Sequence, residues 1–291
     1  MDSKLIYEDP NWKAPRSYNY GALNSALKSR QAGPTIEPQI LPFPEKVTKI
    51  LKNGPPSGDV QLQHAWNPED RSLNLHVKNE DPFTMHRHPV AQSTDAILGK
   101  QAYSSGCHIW QIEWSENIRG THAMVGVATQ LARRHCTGYS ELLGSDEQSW
   151  AWNMNSKKLE LSHDAPPSNR YDYQRNLIKP TVELATVCRP SYPEKCQNWT
   201  PPNKVYCILD MDEGTLAYAT ENNYLGVAFE GLKGKTLFPA IGVVWGHAEV
   251  TMKYMGSNEE VKEPEGAVDM DTSDDDFEST FEKIEISDAI E

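Results

Sequence analysis

Apolar and polar positions alternate through the middle of the chain. In His108-Ile109-Trp110-Gln111-Ile112-Glu113-Trp114 the side chains of Trp110, Ile112 and Trp114 fall on one face of a strand, and Gln111 and Glu113 fall on the other. That is the period-two signature of a half-buried antiparallel strand. Met124 to Thr129 reads as a buried strand interrupted by glycine, and Trp150-Ala151-Trp152-Asn153 opens another. Val205 to Met211 runs into Asp212-Glu213-Gly214, whose glycine supplies the positive φ of a hairpin loop, and Thr215-Leu216-Ala217-Tyr218 returns. Phe238 to Trp245 and Glu249 to Tyr254 are expected to close the body as a strand pair. From Val60 onward no ten-residue stretch of this body keeps a helical stripe. The pattern therefore predicts an all-β fold, a two-sheet antiparallel β-sandwich over residues 59–256.

The flanks break that rhythm. Residues 1–58 carry Pro10, Pro15, Pro34, Pro38, Pro42, Pro44, Pro55 and Pro56, which leaves room for a short helix near Glu45 to Lys52 in an otherwise extended, partly ordered arm. Ile40, Leu41 and Phe43 are its expected contacts with the body, and its first thirty residues are expected to be mobile. Pro180 to Asn203 holds five prolines and two cysteines and reads as a long surface loop. Residues 257–291 are too charged and too poor in apolar side chains to order themselves.

Charge sharpens this division. The formal net charge is −13, but Ser257 to Glu291 alone holds fourteen acidic residues against two lysines, leaving the body nearly neutral. A neutral body with an acidic tail offers no basic face to a phosphate backbone, so no nucleic-acid partner is expected. No apolar run approaches the ~18 residues of a membrane span. Five cysteines without framework spacing, and no apolar leader in the first thirty residues, predict unpaired thiols in a reducing cytoplasmic or nuclear setting. Asn198-Trp199-Thr200 is then a chance sequon. Ser273 and Ser279, each followed by acid three residues on, suit an acid-directed kinase.

Catalytic chemistry finds little support. Gly234-Lys235-Thr236 ends like a phosphate-binding loop, but Phe229 stands where its first glycine belongs. His86 and His88 would share one strand face, yet no compact Cys or His pair completes a zinc site, so no metal or cofactor is expected. Asp210 and Asp212 have the chemistry of a glycosidase pair, but the turn at Asp212-Glu213-Gly214 accounts for them. No Gly-x-Ser-x-Gly elbow is present. The segment His86-Arg87-His88-Pro89-Val90-Ala91-Gln92-Ser93-Thr94-Asp95 fits neither a core strand nor a solvated loop. Its proline bars it from a central strand and makes it a rigid edge suited to receiving a peptide.

Several strings together carry a family resemblance: Gln61-Leu62-Gln63-His64-Ala65-Trp66-Asn67, His86 to Asp95, Arg119-Gly120-Thr121-His122-Ala123, Leu209 to Leu216, and Val244-Trp245-Gly246-His247. From about Pro34 to Gly256 the chain resembles the SPRY domain-containing SOCS box proteins, in their gustavus-like branch. The resemblance implies a B30.2/SPRY β-sandwich with a preformed pocket at one loop end, no enzymatic activity of its own, and a place as substrate-recognition adaptor of a cullin-RING ubiquitin ligase. The implied ligand is a protein segment with an acidic residue, an aliphatic residue and three Asn. Carried across, the pocket comprises Arg87, Pro89, Ala91, Gln92, Gly120, Thr121, Tyr139, Leu142, Ser145, Val244, Trp245 and Gly246.

The chemistry suits such a ligand. Buried Asn amides need both donors and acceptors, which Gln92, Thr121, Tyr139, Ser145 and loop backbone can supply. The Arg87 fork suits carbonyl or carboxylate oxygens, and Tyr139 and Trp245 give rigid apolar walls. The chain departs from the family in three places. Ser257 to Glu291 has no Cys and no Leu, unlike the SOCS box helix through which the family binds elongin B and C, with a later segment for the cullin. A SOCS-box-less scaffold or competitor for the same targets is therefore a second expectation. The Pro180 to Asn203 connection is longer than the family's by about eighteen residues. Glu141, in Ser140-Glu141-Leu142-Leu143-Gly144-Ser145, either repels the ligand's acidic end or lies clear of it.

Overall fold

Among the residues that the computed structural model describes (34–155, 158–160, 186–187, 192–194, 196 and 198–258), fifteen strands form two antiparallel sheets. Two short helices come first, α1 (Glu45–Asn53) and α2 (Gly58–Gln63). The strands follow as β1 (Trp66–Arg71), β2 (Leu75–Val77), β3 (Thr84–Arg87), β4 (Ser93–Gly99) and β5 (Cys107–Glu113). After a 3-10 turn at Glu116–Ile118 come β6 (Ala123–Ala128), β7 (His135–Thr137), β8 (Ser149–Asn153), β9 (Lys158–Glu160) and β10 (Thr186–Val187). The series ends with β11 (Lys204–Asp210), β12 (Thr215–Ala219), β13 (Tyr224–Glu230), β14 (Phe238–Val243) and β15 (Glu249–Ser257).

One sheet has the order β1-β4-β14-β6-β8-β9, with β7 also paired to β4; the other runs β10-β13-β12-β11-β5-β15-β3-β2. Alternation sets the layers. Trp110, Ile112 and Trp114 join Ile97, Val125, Val127, Trp150 and Trp152 in the core between the sheets. Cys107 and Ile109 point the other way and are covered by Val47 and Ile50 of α1. That helix begins after Pro44 and carries an exposed Glu45–Lys49 pair at 3.0 Å. The remaining face of the seven-stranded sheet is covered by Leu142 and Leu143, packed on Ala96, Leu98, Met124 and Ala240.

Several expectations hold: the β-sandwich itself, the short helix, and the hairpin at Gly214, where φ is +70°. Cys107, Cys136 and Cys207 are free thiols. Others are corrected. Val60 lies in α2, so the strands begin only at Trp66. Of the arm's three expected contacts, Leu41 bridges to Tyr224 and the Phe43 ring lies 6.1 Å from Tyr224 as expected, but Ile40 is 80% exposed.

β14 and β15 do not pair but lie in opposite sheets. The reason is in the backbone: Arg87 N–H donates to Ala248 O at 3.0 Å and His247 N–H to Arg87 O at 2.9 Å, which commits β15 to β3. Residues 244–248 therefore cross from one sheet to the other. The Pro180 to Asn203 segment is no mere surface loop either, because Tyr192 is fully buried among the core aromatics. The expectations for residues 1–33, for most of Pro180 to Glu194 and for the acidic tail beyond Asn258 lie outside the described residues.

Candidate functional site

The site begins with a charge that the fold buries. Strand period two turns Arg87 inward and His86 outward at the end of β3. The Arg87 side chain is fully buried: Nε donates to Asp95 Oδ2 at 2.9 Å, Nη2 to Val90 O at 2.9 Å and Ser93 O at 3.0 Å, and Nη1 to His88 O at 3.3 Å. The expected carboxylate and carbonyl partners of its fork are thus internal ones. Arg87 shapes the 88–93 loop from behind, and its guanidinium does not face a ligand.

Asp95, also fully buried, accepts from Ser72 Oγ at 2.6 Å, Ser93 Oγ at 2.7 Å, Asn74 Nδ2 at 2.9 Å and His135 Nδ1 at 3.0 Å besides Arg87. Burial alone would raise its pKa. The bonds from Ser72, His135, Ser93 and Asn74 outweigh that and hold the carboxyl below the usual aspartate value. The sequence pattern marked His86 to Asp95 as a rigid edge but gave no sign that Arg87, Ser93 and Asp95 close a buried network, and Ser93 to Asp95 open the buried strand β4 instead.

On that base the loops meet pairwise. A Cβ on Gly246 would lie 2.9 Å from Pro89 Cα, so the 244–248 crossing presses directly on the 88–92 loop. Gly120, at φ +65°, lies so close to Val244 and Trp245 that a Cβ would meet both at 3.1 Å. Gln92, at φ +53°, donates its N–H to the Tyr139 hydroxyl at 3.2 Å and accepts from Gly138 N–H at 2.8 Å. Below Gly120, the buried Arg119 guanidinium donates to Trp114 O, Pro201 O and Pro202 O at 2.6–2.8 Å. Burial pushes its pKa down to about 10 against the pull of Glu116.

The outcome for each expected site residue is mixed. Pro89, Ala91, Gln92, Thr121 and Tyr139 are exposed, while Gly120, Trp245 and Gly246 are half-buried at the same loop junction. Val90, 38% exposed between Pro89 and Ala91, was not among the expected residues. Val244 is nearly buried behind Gly120. Leu142 is 2% exposed and packs in the outer apolar layer, so it supports the site from underneath. Ser145 donates to Leu142 O at 2.8 Å and accepts from Arg133 at 3.2 Å, which holds its own turn. Glu141 stands 3.8 Å from His122 Nε2, a neighbour the sequence did not reveal.

The expected cost of disturbing this junction is measurable. Gly246→Ala would force the two loops apart and should lower the unfolding free energy by about 1–3 kcal/mol, read from urea unfolding.

A SPRY domain family model matches residues 107–256. The Drosophila melanogaster protein gustavus is 46% identical over 213 residues, 73% of this chain and 70% of that one. The chain belongs to the SPRY domain-containing SOCS box protein family. Human SPRY domain-containing SOCS box protein 1 is 43% identical over 212 residues, covering 73% of this chain and 71% of its own. The F-box/SPRY domain-containing protein 1 of Drosophila grimshawi is 39% identical over 194 residues, 67% of this chain and 68% of its own. By its name that protein carries an F-box together with a SPRY domain.

Proposed function

We propose that this loop end recognises a short protein segment with an acidic residue, an aliphatic residue and three Asn, and that the chain is a non-enzymatic recognition subunit. The observation that carries the reading is the junction itself. Four loops far apart in sequence are fixed to one another through Pro89–Gly246, Gly120–Trp245 and Gln92–Tyr139, with Tyr139 left 49% exposed. A preorganised surface of this kind loses little entropy on binding, and rigid aromatic anchors are the side chains that concentrate binding energy. The carboxylates weighed for hydrolysis have structural work: Asp212 accepts from Gly106 N–H at 2.8 Å, and Asp210 pairs with Lys46 and accepts from Glu213 N–H at 3.2 Å.

Tyr139→Ala and Trp245→Ala should each weaken binding of a labelled peptide of that pattern by about 2 kcal/mol, roughly thirtyfold, in fluorescence polarisation with circular dichroism as the folding control. Unchanged affinity in both variants removes the assignment.

Recruitment of a ubiquitin ligase is the family's inferred role, through elongin B and C and a cullin. In a second reading the chain holds the same targets as a scaffold or competitor without ubiquitylating them. Co-purification of elongins with the full chain supports the first; target levels that rise on overexpression support the second.

A further inference from the structure

Four imidazoles gather beside the loop junction, and neither the fold nor the recognition reading uses them. Strand register sets His76 of β2 opposite His86 of β3, and His86 opposite Glu249 of β15. His88, two residues along the same face, comes back over His76. The ring centroids lie 4.9 Å apart for His76–His86, 4.8 Å for His76–His88 and 6.0 Å for His86–His88, and His247 meets His86 edge-on at 5.6 Å.

The rings of His76, His86 and His88 lie within 27–32° of parallel, an arrangement for stacking. No group of three or more His, Cys, Asp or Glu among the described residues is placed to hold a metal ion. His76 Nδ1 and His86 Nε2 are buried without a hydrogen-bond partner among the described residues. Flat neutral rings pack well in this way, and charged ones do not.

The cluster is joined to the site at two points. His88 precedes Pro89 and His247 follows Gly246, the two residues in direct contact at the junction. His247 also sits at φ +63°, a conformation that a non-glycine residue keeps only when its surroundings hold it there. We infer that the four-histidine cluster is a proton-operated latch on the candidate peptide site: the stacked neutral rings of His76, His86 and His88, with His247 edge-on to His86, hold the 88–92 and 244–248 loops to one strand pair, and protonation of His76 and His86 releases them. This rests on the proposed peptide-binding role of the junction.

The charged groups facing the cluster are Arg71 of β1, Lys78 beyond β2 and Glu249 of β15, with Lys78 Nζ 2.7 Å and His86 Nδ1 3.7 Å from Glu249. Burial lowers the pKa of His76 and His86 below the ordinary 6.5, the neighbouring imidazoles and Lys78 push the same way, and Glu249 opposes. The closed cluster therefore binds fewer protons than an open one. It is favoured at neutral pH and lost as pH falls through the ordinary imidazole range.

The test measures a labelled peptide with an acidic residue, an aliphatic residue and three Asn against the full chain between about pH 7.5 and about pH 5.5. Wild-type affinity should fall several-fold as pH drops through this range, because the open form takes up protons that the closed cluster resists. The double variant His76→Phe, His86→Phe keeps flat rings but cannot take up protons there; it should bind within about twofold of wild type at neutral pH and lose most of the pH dependence. A pH-independent wild type, or a double variant with the wild-type pH profile, overturns the latch.

Should no peptide bind at either pH, the recognition reading fails, and the latch is judged by nuclear magnetic resonance. The Val90 and His247 amide resonances following the His76 and His86 ring titrations support it; amides that stay still while the rings titrate overturn it.

Discussion

Asp95→Ala is expected to lower the unfolding free energy by about 3–5 kcal/mol, because it strands the Arg87 guanidinium as an unpaired charge in the interior. Both partners are fully buried, and the salt bridge at 2.9 Å is the only carboxylate contact Arg87 makes among the described residues. The loss should not be confined to one pair. Ser72, Asn74, Ser93 and His135 all donate to the same carboxylate, so its removal also leaves these donors without their acceptor.

Asp95→Asn separates charge from shape. It keeps one acceptor oxygen, and its loss should fall between wild type and the Ala variant. The pH dependence gives an independent check. With its pKa held below the ordinary 3.8, the Asp95 carboxylate contributes stability that is present above that value and is lost as pH falls through the depressed one. Urea midpoints measured down the acid limb should therefore show a steeper loss for wild type than for Asp95→Ala. Equal midpoints for all three proteins at neutral pH would mean that the network does not support the loop.

The layers of the fold were legible because alternation is a local property. Trp110, Ile112 and Trp114 announce an inward face whatever their partners are, and Gly214 announces its turn. Pairing is not local, which is why β14 and β15, neighbours in sequence and each correctly read as a strand, were joined in the wrong way. The decision lies with Arg87, whose backbone takes both ladder bonds from 247 and 248. The same limit applies to the site. Pro89, Gln92, Tyr139 and Trp245 could be named by resemblance, but resemblance gives a residue's membership in a site and not the direction of its side chain. Arg87 faces inward because period two and the Asp95 carboxylate together demand it. Leu142 packs on Ala96, Leu98, Met124 and Ala240 in an outer apolar layer, which a pattern that assumed one core did not reveal.

Tyr192→Ala is the second substitution with a large expected effect, and it concerns the stretch whose prolines made it look peripheral. Tyr192 is fully buried, its ring 5.6 Å from Trp152 and 5.7 Å from Tyr218, both contributed by strands of the sandwich. Its hydroxyl donates to Gly226 O at 2.8 Å and accepts from Tyr218 N–H at 3.1 Å, while the Tyr218 hydroxyl reaches across the core to Val125 O at 2.7 Å. An aromatic deletion at such a position costs about 3–5 kcal/mol through lost burial and the cavity left behind. Tyr192→Phe keeps the ring and removes only the hydroxyl, leaving the Tyr218 amide without this acceptor, for about 1–3 kcal/mol. Guanidinium unfolding of the two variants would separate packing from hydrogen bonding. A loop that merely lay on the surface would leave both midpoints at the wild-type value, whereas a segment that plugs the sandwich between β8 and β12 must lower both, and the Ala variant further.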